Sequence, residues 1–178
     1  MGNLIADALL DRVKDQGVSI AIMNSGGVRA SIDEGEITMG EVLTVLPFQN
    51  TLSTFQLTGA DVIAALENGV SQVEEIKGRF PQVAGLSFKW DPSRPANEGR
   101  IVEVMVEADG KMQPIDPAAT YGVVSNNYVR AGGDGYSVFA ENAMNVYDFG
   151  PNVEDVVADY LVAHAPYQPA LHGRISQQ

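Results

Sequence analysis

The stretch Val18–Arg29, VSIAIMNSGGVR, constrains the chain most. Val18, Ile20, Ala21, Ile22 and Met23 are residues that fill a buried strand, and they give way at once to Asn24-Ser25-Gly26-Gly27 and then Arg29. That order puts a pliable backbone and a fixed positive charge at the carboxyl end of a strand, a common place for ligands in sheet proteins. Paired glycines permit positive φ and close approach of a ligand to the backbone. The arginine offers a planar fork suited to phosphate or carboxylate. On these residues alone, a tight turn followed by a surface arginine accounts for the pattern equally well.

The remaining chain reads as an irregular alternation of helices and strands. Asn3–Gln16 carries Leu4, Ile5, Ala8, Leu9 and Val13 at helical spacing, with Gly17 at the stop position. A chain that opens inside a helix is expected to be a piece of a longer one. Thr38-Met39-Gly40-Glu41 and Thr58-Gly59-Ala60-Asp61 have the form of capping boxes. The first opens a short helix that Pro47 ends; the second opens a helix through about Val73, with Val62, Ile63, Leu66 and Val70 facing inward. Strands are predicted at Thr51–Leu57, Leu86–Asp91, Arg100–Glu107, Lys111–Ile115, Tyr121–Asn126 and Asn145–Phe149, with Asp109-Gly110 as a hairpin turn. Gly78–Ala84 and Pro92–Gly99 read as loops, and Asn127–Gly135 contains a second glycine-rich turn, Arg130-Ala131-Gly132-Gly133-Asp134-Gly135. The last helix is expected over Asn152–Ala165, stopped by Pro166. Hairpins mixed with helices favour an α+β or mixed α/β domain over a regular doubly wound sheet. A length of 178 residues suits one domain, or two small lobes on a shared core.

Composition narrows the chemistry. A formal net charge of −12 argues against binding a nucleic-acid backbone, which needs Lys and Arg patches, but a few local arginines suffice for a small anion. The count of cysteines is 0, so disulfides, thiolate metal sites and cysteine nucleophiles are excluded together. No apolar run approaches the length of a membrane span, and the first residues lack the pattern of a signal peptide. The only two histidines, His164 and His172, lie near the end of the chain and cannot furnish a dinuclear hydrolase site of the usual His and Asp kind. There is no G-x-S-x-G elbow, no Walker A loop and no G-x-G-x-x-G pattern. Phe48 and Tyr128 each fall in a loop-like place beside a strand end, where two rings could clamp a planar ligand; taken singly, each is more often a core residue.

Four stretches occur in this order: Met1-Gly2-Asn3-Leu4-Ile5-Ala6-Asp7-Ala8, Asn24-Ser25-Gly26-Gly27-Val28-Arg29, Leu46-Pro47-Phe48, and Asn127-Tyr128-Val129-Arg130-Ala131-Gly132-Gly133-Asp134-Gly135. As an ordered set they resemble the C-terminal domain of the 5′-nucleotidases, including the periplasmic UDP-sugar hydrolases, and the resemblance runs from Gly2 to His172-Gly173-Arg174-Ile175. It implies a four-layer α/β/β/α domain over residues 1–178 that binds nucleotide. The catalytic metallophosphatase domain, with two divalent metal ions, would lie outside this chain, N-terminal to it. Under the resemblance Arg29 contacts the substrate phosphate and Asn24 the nucleotide. Phe48 and Tyr128 form the base clamp, with Tyr128 where many members have Phe. Asp134 accepts from ribose hydroxyls, Asn50 contacts the base edge, and Gly85 lines the base pocket. Family members carry further substrate arginines just upstream of the positions matching Met1-Gly2-Asn3, so phosphate affinity is expected to be weaker here.

The implied partners are an AMP-like or UDP-sugar-like nucleotide, or a nucleoside, and the metallophosphatase domain, with no nucleic acid and no membrane span. The implied setting is periplasmic or secreted. Alternatives of the same superfamily are a 2′,3′-cyclic nucleotide phosphodiesterase or a thiosulfohydrolase; the Phe48/Tyr128 pair argues for a substrate that contains a base. A stand-alone nucleotide-binding module is the alternative of another class.

Overall fold

The chain opens with helix α1 (Gly2–Val13), whose buried stripe is Leu4, Ile5, Ala8, Leu9 and Val13 and whose exit turns at Gly17, φ +72°. A computed structural model describes every residue except Asp109. Strand β1 (Ile20–Asn24) follows, then α2 (Met39–Val45), β2 (Leu52–Thr58), α3 (Gly59–Gly69), β3 (Pro81–Ala84), β4 (Leu86–Trp90), β5 (Ile101–Ala108) and β6 (Lys111–Pro114). The chain finishes with β7 (Thr120–Asn126), α4 (Asn127–Arg130), α5 (Ser137–Asn142), β8 (Met144–Tyr147), α6 (Val153–Ala163) and β9 (Ile175–Gln177). Both capping boxes form: Thr38 and Glu41 at α2, and Thr58 and Asp61 at α3, exchange side chain and backbone bonds.

The strands make two mixed sheets, a five-stranded one in the order β3-β1-β7-β2-β8 and a four-stranded one in the order β6-β5-β4-β9. With six α-helices among the described residues, this is the mixed α/β class expected from the sequence. In the larger sheet β1 and β7 run parallel, with Ile20 opposite Val123, while β2 and β3 run antiparallel to their neighbours. That sheet separates two cores. Ala21, Met23, Ala84 and Val124 pack with α1, α2 and α6; Ile20, Ile22, Val83 and Val123 face α3, α5 and the smaller sheet. In the smaller sheet Leu86, Phe88, Trp90, Val104 and Val106 alternate into that second core. Its centre is aromatic: Phe139 lies 4.9 Å from Phe55 and 5.2 Å from Tyr136, centroid to centroid.

Two expectations need correction, and two elements, α4 and β9, are additional to the sequence pattern. Pro81–Ala84 is a strand rather than a loop, paired antiparallel with β1, and its proline takes the first position, where a missing N–H does least harm. Helix α3 stops at Gly69, short of Val73; a Cβ on Gly69 would lie 2.8 Å from Pro81 Cδ and 2.9 Å from the Tyr136 hydroxyl, so only glycine fits there. The glycine-rich segment after β7 begins as a helical turn, α4, because Asn126 caps it. Strand β9, with no counterpart in the sequence reading, is recruited by β4: Phe88 pairs with Ile175. Strands β5 and β6 pair as a hairpin, and the Asp109 of its expected turn lies outside the described residues.

Phe139→Ala should remove about 3–5 kcal/mol of stability, because three buried rings lose their common contact. Urea unfolding of the wild-type and variant chains measures this; a loss under about 1 kcal/mol would mean that this aromatic cluster does not hold the second core.

Candidate functional site

Strand direction gathers the site. With β1 and β7 parallel, their carboxyl ends, Asn24 and Asn126, lie at one end of the sheet; the first residues of antiparallel β2 and β3 lie there too. Four loops therefore meet at that end: residues 25–29, 46–50, 78–80 and 127–135.

A hydrogen-bonded ring of side chains fixes the junction. Asn126, fully buried, donates through Nδ2 to Asn24 Oδ1 at 3.1 Å and accepts at Oδ1 from the Val129 N–H at 2.8 Å, which caps α4. Asn24 in turn donates through Nδ2 to Asp134 Oδ2 at 2.7 Å. The Tyr128 hydroxyl donates to Asp134 Oδ1 at 3.0 Å and accepts from the Asp134 N–H at 3.3 Å. Tyr128 belongs to α4, so the ring closes on the helix that Asn126 caps. Behind it the Asp134 carbonyl accepts from Asn68 of α3, whose Oδ1 accepts from Arg79 at 3.0 Å. Asp134 adopts φ +55°, a left-handed conformation that the network holds in place. Each of its carboxylate oxygens keeps accepting capacity for a ligand.

The two rings singled out by sequence are not core residues: Phe48 is 56% exposed and Tyr128 47% exposed. Phe48 follows α2, beside Gly27 and Met23 at the end of β1. The next residue, Gln49, has φ +53°, and Asn50 is anchored through its carbonyl, which accepts from the Val153 N–H at 2.8 Å. Thr51 and Asn127 exchange two hydrogen bonds, of 2.8 and 3.1 Å, which tie the Phe48 loop to the Tyr128 helix. Arg29 is exposed, its backbone N–H bonded to the Val45 carbonyl and its Nη1 donating to Gly26 O at 3.3 Å. Beside it runs an open groove of about 490 Å³, lined by Ser25, Gly26, Arg29, Lys77, Gly78 and Phe80 among others.

Asn24, Arg29, Phe48, Asn50, Tyr128 and Asp134 thus share one end of the sheet, and Gly85 does not. Gly85 follows β3 at its far end, next to Ser19 rather than Asn24, and a Cβ there would lie 1.9 Å from the Ser19 carbonyl oxygen. With φ +73° its glycine is required by packing. The glycine that does reach the site is Gly78. Its carbonyl accepts from the Gly26 N–H at 2.8 Å, and a Cβ on it would lie 2.8 Å from Gly26 Cα and 3.6 Å from Asp134 Oδ2. Sequence reasoning passed over Gly78 and Asn126; the position of Asn126 just before Asn127-Tyr128-Val129 is an N-cap signal that marks the second.

These residues match the family described as "5′-nucleotidase, C-terminal domain" over residues 1–141. The chain belongs to that family. It is 43% identical over 180 residues to the trifunctional nucleotide phosphoesterase protein YfkN of Bacillus subtilis, covering 99% of this chain and 12% of that protein. A 5′-nucleotidase precursor of Thermus thermophilus superposes with a TM-score of 0.96 at 45% identity, over 99% of this chain and 34% of that one. The NAD nucleotidase of Haemophilus influenzae gives 0.86 at 29% identity, over 99% of this chain and 32% of that one. The chain therefore spans about a third or less of the length of these relatives. Among the described residues of this family member, no group of three or more His, Cys, Asp or Glu is placed to hold a metal ion.

Burial, the hydrogen bond to Asp134 and the charge of Asp134 together raise the Tyr128 phenol above its ordinary value of 10.0. Burial does the same to Tyr136, behind the site, with the Asp134 charge adding to it. A proton held more tightly in the folded state gives stability that is complete below the unfolded tyrosine value and lost as pH rises through the folded one. Asp134→Asn should therefore let Tyr128 ionise at lower pH, as followed by the NMR signals of its ring; an unchanged titration would show that the two side chains are not coupled.

Proposed function

We propose that this chain is the nucleotide-binding domain of a nucleotidase whose phosphoester hydrolysis is carried out by a separate metallophosphatase domain. The observation that carries this is the pairing of two exposed aromatic rings, on loops tied to one another, with a carboxylate that is already positioned by Asn24 and Tyr128. The base would stack between Phe48 and Tyr128, whose faces suit any base. Asn50 would meet its edge. Asp134 would accept from the ribose hydroxyls, using lone pairs left over from its two side-chain bonds. Arg29, exposed at the rim, would take the phosphate, helped by the backbone around Gly26. The names of the three relatives above all refer to nucleotides or nucleotide esters, which supports a substrate with a base.

The reading assigns two divalent ions to the proposed partner domain and no chemical step to this chain. Bound there, such ions supply an activated water and stabilise charge on the phosphoryl oxygens. The contribution of this chain is to bind and orient, which brings reactants to a productive geometry without taking part in bond breaking. We place the intact protein in the periplasm or outside the cell, in keeping with the resemblance to the UDP-sugar hydrolases.

Calorimetric titration tests the reading. AMP should bind, and Phe48→Ala or Tyr128→Ala should each cost about 1–3 kcal/mol, the usual worth of a base stacked on an aromatic side chain. Tyr128→Phe should retain most of the affinity. Arg29→Ala should weaken AMP but leave adenosine unchanged. Equal binding by the wild-type and both alanine variants would refute the clamp.

A further inference from the structure

Glu154 stands at the second position of α6 and is only 3% exposed, yet its Oε2 has no hydrogen-bond partner in the protein. The helix N-terminus accounts for a negative charge there. It does not account for a buried oxygen left without a donor, since such an oxygen forfeits its water contacts for nothing in return. Glu154 lines a small cleft with Met23, Gly27, Phe48 and Asn50, three of which belong to the loops of the nucleotide site. The cleft has room for about one water molecule, too little for a base or a sugar.

We propose that Glu154 sets base selectivity through a single water molecule held in this cleft, an inference that rests on the base clamp proposed above. A carboxylate only accepts hydrogen bonds, so a water bonded to Oε2 must spend one O–H on it. That water turns its lone pairs toward the ligand, beside the Asn50 amide. It is then a better acceptor than donor and favours bases with an N–H donor on the edge that reaches the cleft, such as the amino group of adenine. A base without such a donor leaves the water's lone pair unmatched. Glu154 acts here as a positioning residue, through the water, and touches neither phosphate nor ribose.

The test compares AMP with purine riboside 5′-monophosphate, which keeps the ring, the ribose and the phosphate but lacks the amino group. The wild-type chain should bind AMP about fivefold more tightly, the worth of one net hydrogen bond. In Glu154→Gln, whose amide can hold the water the other way round, the ratio should fall to near one. Glu154→Asp, which withdraws the carboxylate by one methylene, should also lower it. Tyr128→Ala, which removes a clamp ring that does not line the cleft, should weaken both ligands alike and leave the ratio intact. A wild-type ratio near one overturns the proposal, as does a ratio that survives in Glu154→Gln while only thermal stability falls. Should Tyr128→Ala leave the binding of both ligands unchanged, the clamp itself fails and this inference with it; a clamp that passes while the ratio stays flat removes Glu154 alone.

Discussion

The parallel pairing of β1 with β7 is the constraint on which the site depends. It brings Asn24 and Asn126 side by side at the end of two buried strands, where neither amide can be left unpaired without cost. Each solves the problem of the other, and the solution runs on: Asn126 caps α4, α4 carries Tyr128, Tyr128 holds Asp134, and Asp134 returns to Asn24. Every member of that ring is satisfied by another. A network closed in this way specifies one arrangement of its loops, and a gap in it would leave buried polar atoms stranded.

The same ring explains why exposed aromatics can persist at this end of the sheet. Phe48 and Tyr128 gain little from burial where they stand. Their backbones are placed by other groups: Tyr128 by the cap on α4 and Phe48 by the bonds between Thr51 and Asn127. Rigid supports under exposed rings lower the entropy lost when a flat ligand enters between them. The left-handed residues Gln49 and Asp134 lie in these two loops, so part of the backbone strain sits where the ligand would arrive.

Much of this was legible in the sequence, and the exceptions have physical reasons. Strand β1 and both capping boxes announce themselves through short-range pattern, apolar runs and Thr-x-x-acid spacing; the boxes form as read, and the strand, read from Val18 to Met23, forms over Ile20–Asn24. Glycine pairs, two aromatics and a lone aspartate marked 24–29, 46–50 and 127–135 as candidate site segments, and the sheet brings these loops to one end. What failed depended on distant partners. Pro81–Ala84 becomes a strand only because β1 offers an edge, and Ile175–Gln177 only because β4 does. Gly85 and Gly78 look alike in sequence, but one is pressed against Ser19 and the other against Gly26, and local pattern cannot tell them apart. Glu154 reads as an ordinary first-turn acid; its buried oxygen is visible only once α6 is set against the Phe48 loop.

The central claim is that the end of the larger sheet where Asn24 and Asn126 meet binds nucleotide with its base between Phe48 and Tyr128. Mapping backbone and aromatic NMR shifts of this chain on addition of AMP, and separately of ribose 5-phosphate, tests it most directly. The account predicts that AMP moves the signals of residues 24–29, 46–50 and 127–135, leaving Gly85 still, and that the sugar phosphate alone spares both ring systems. Shifts centred elsewhere, or rings of Phe48 and Tyr128 that respond equally to both ligands, would contradict it.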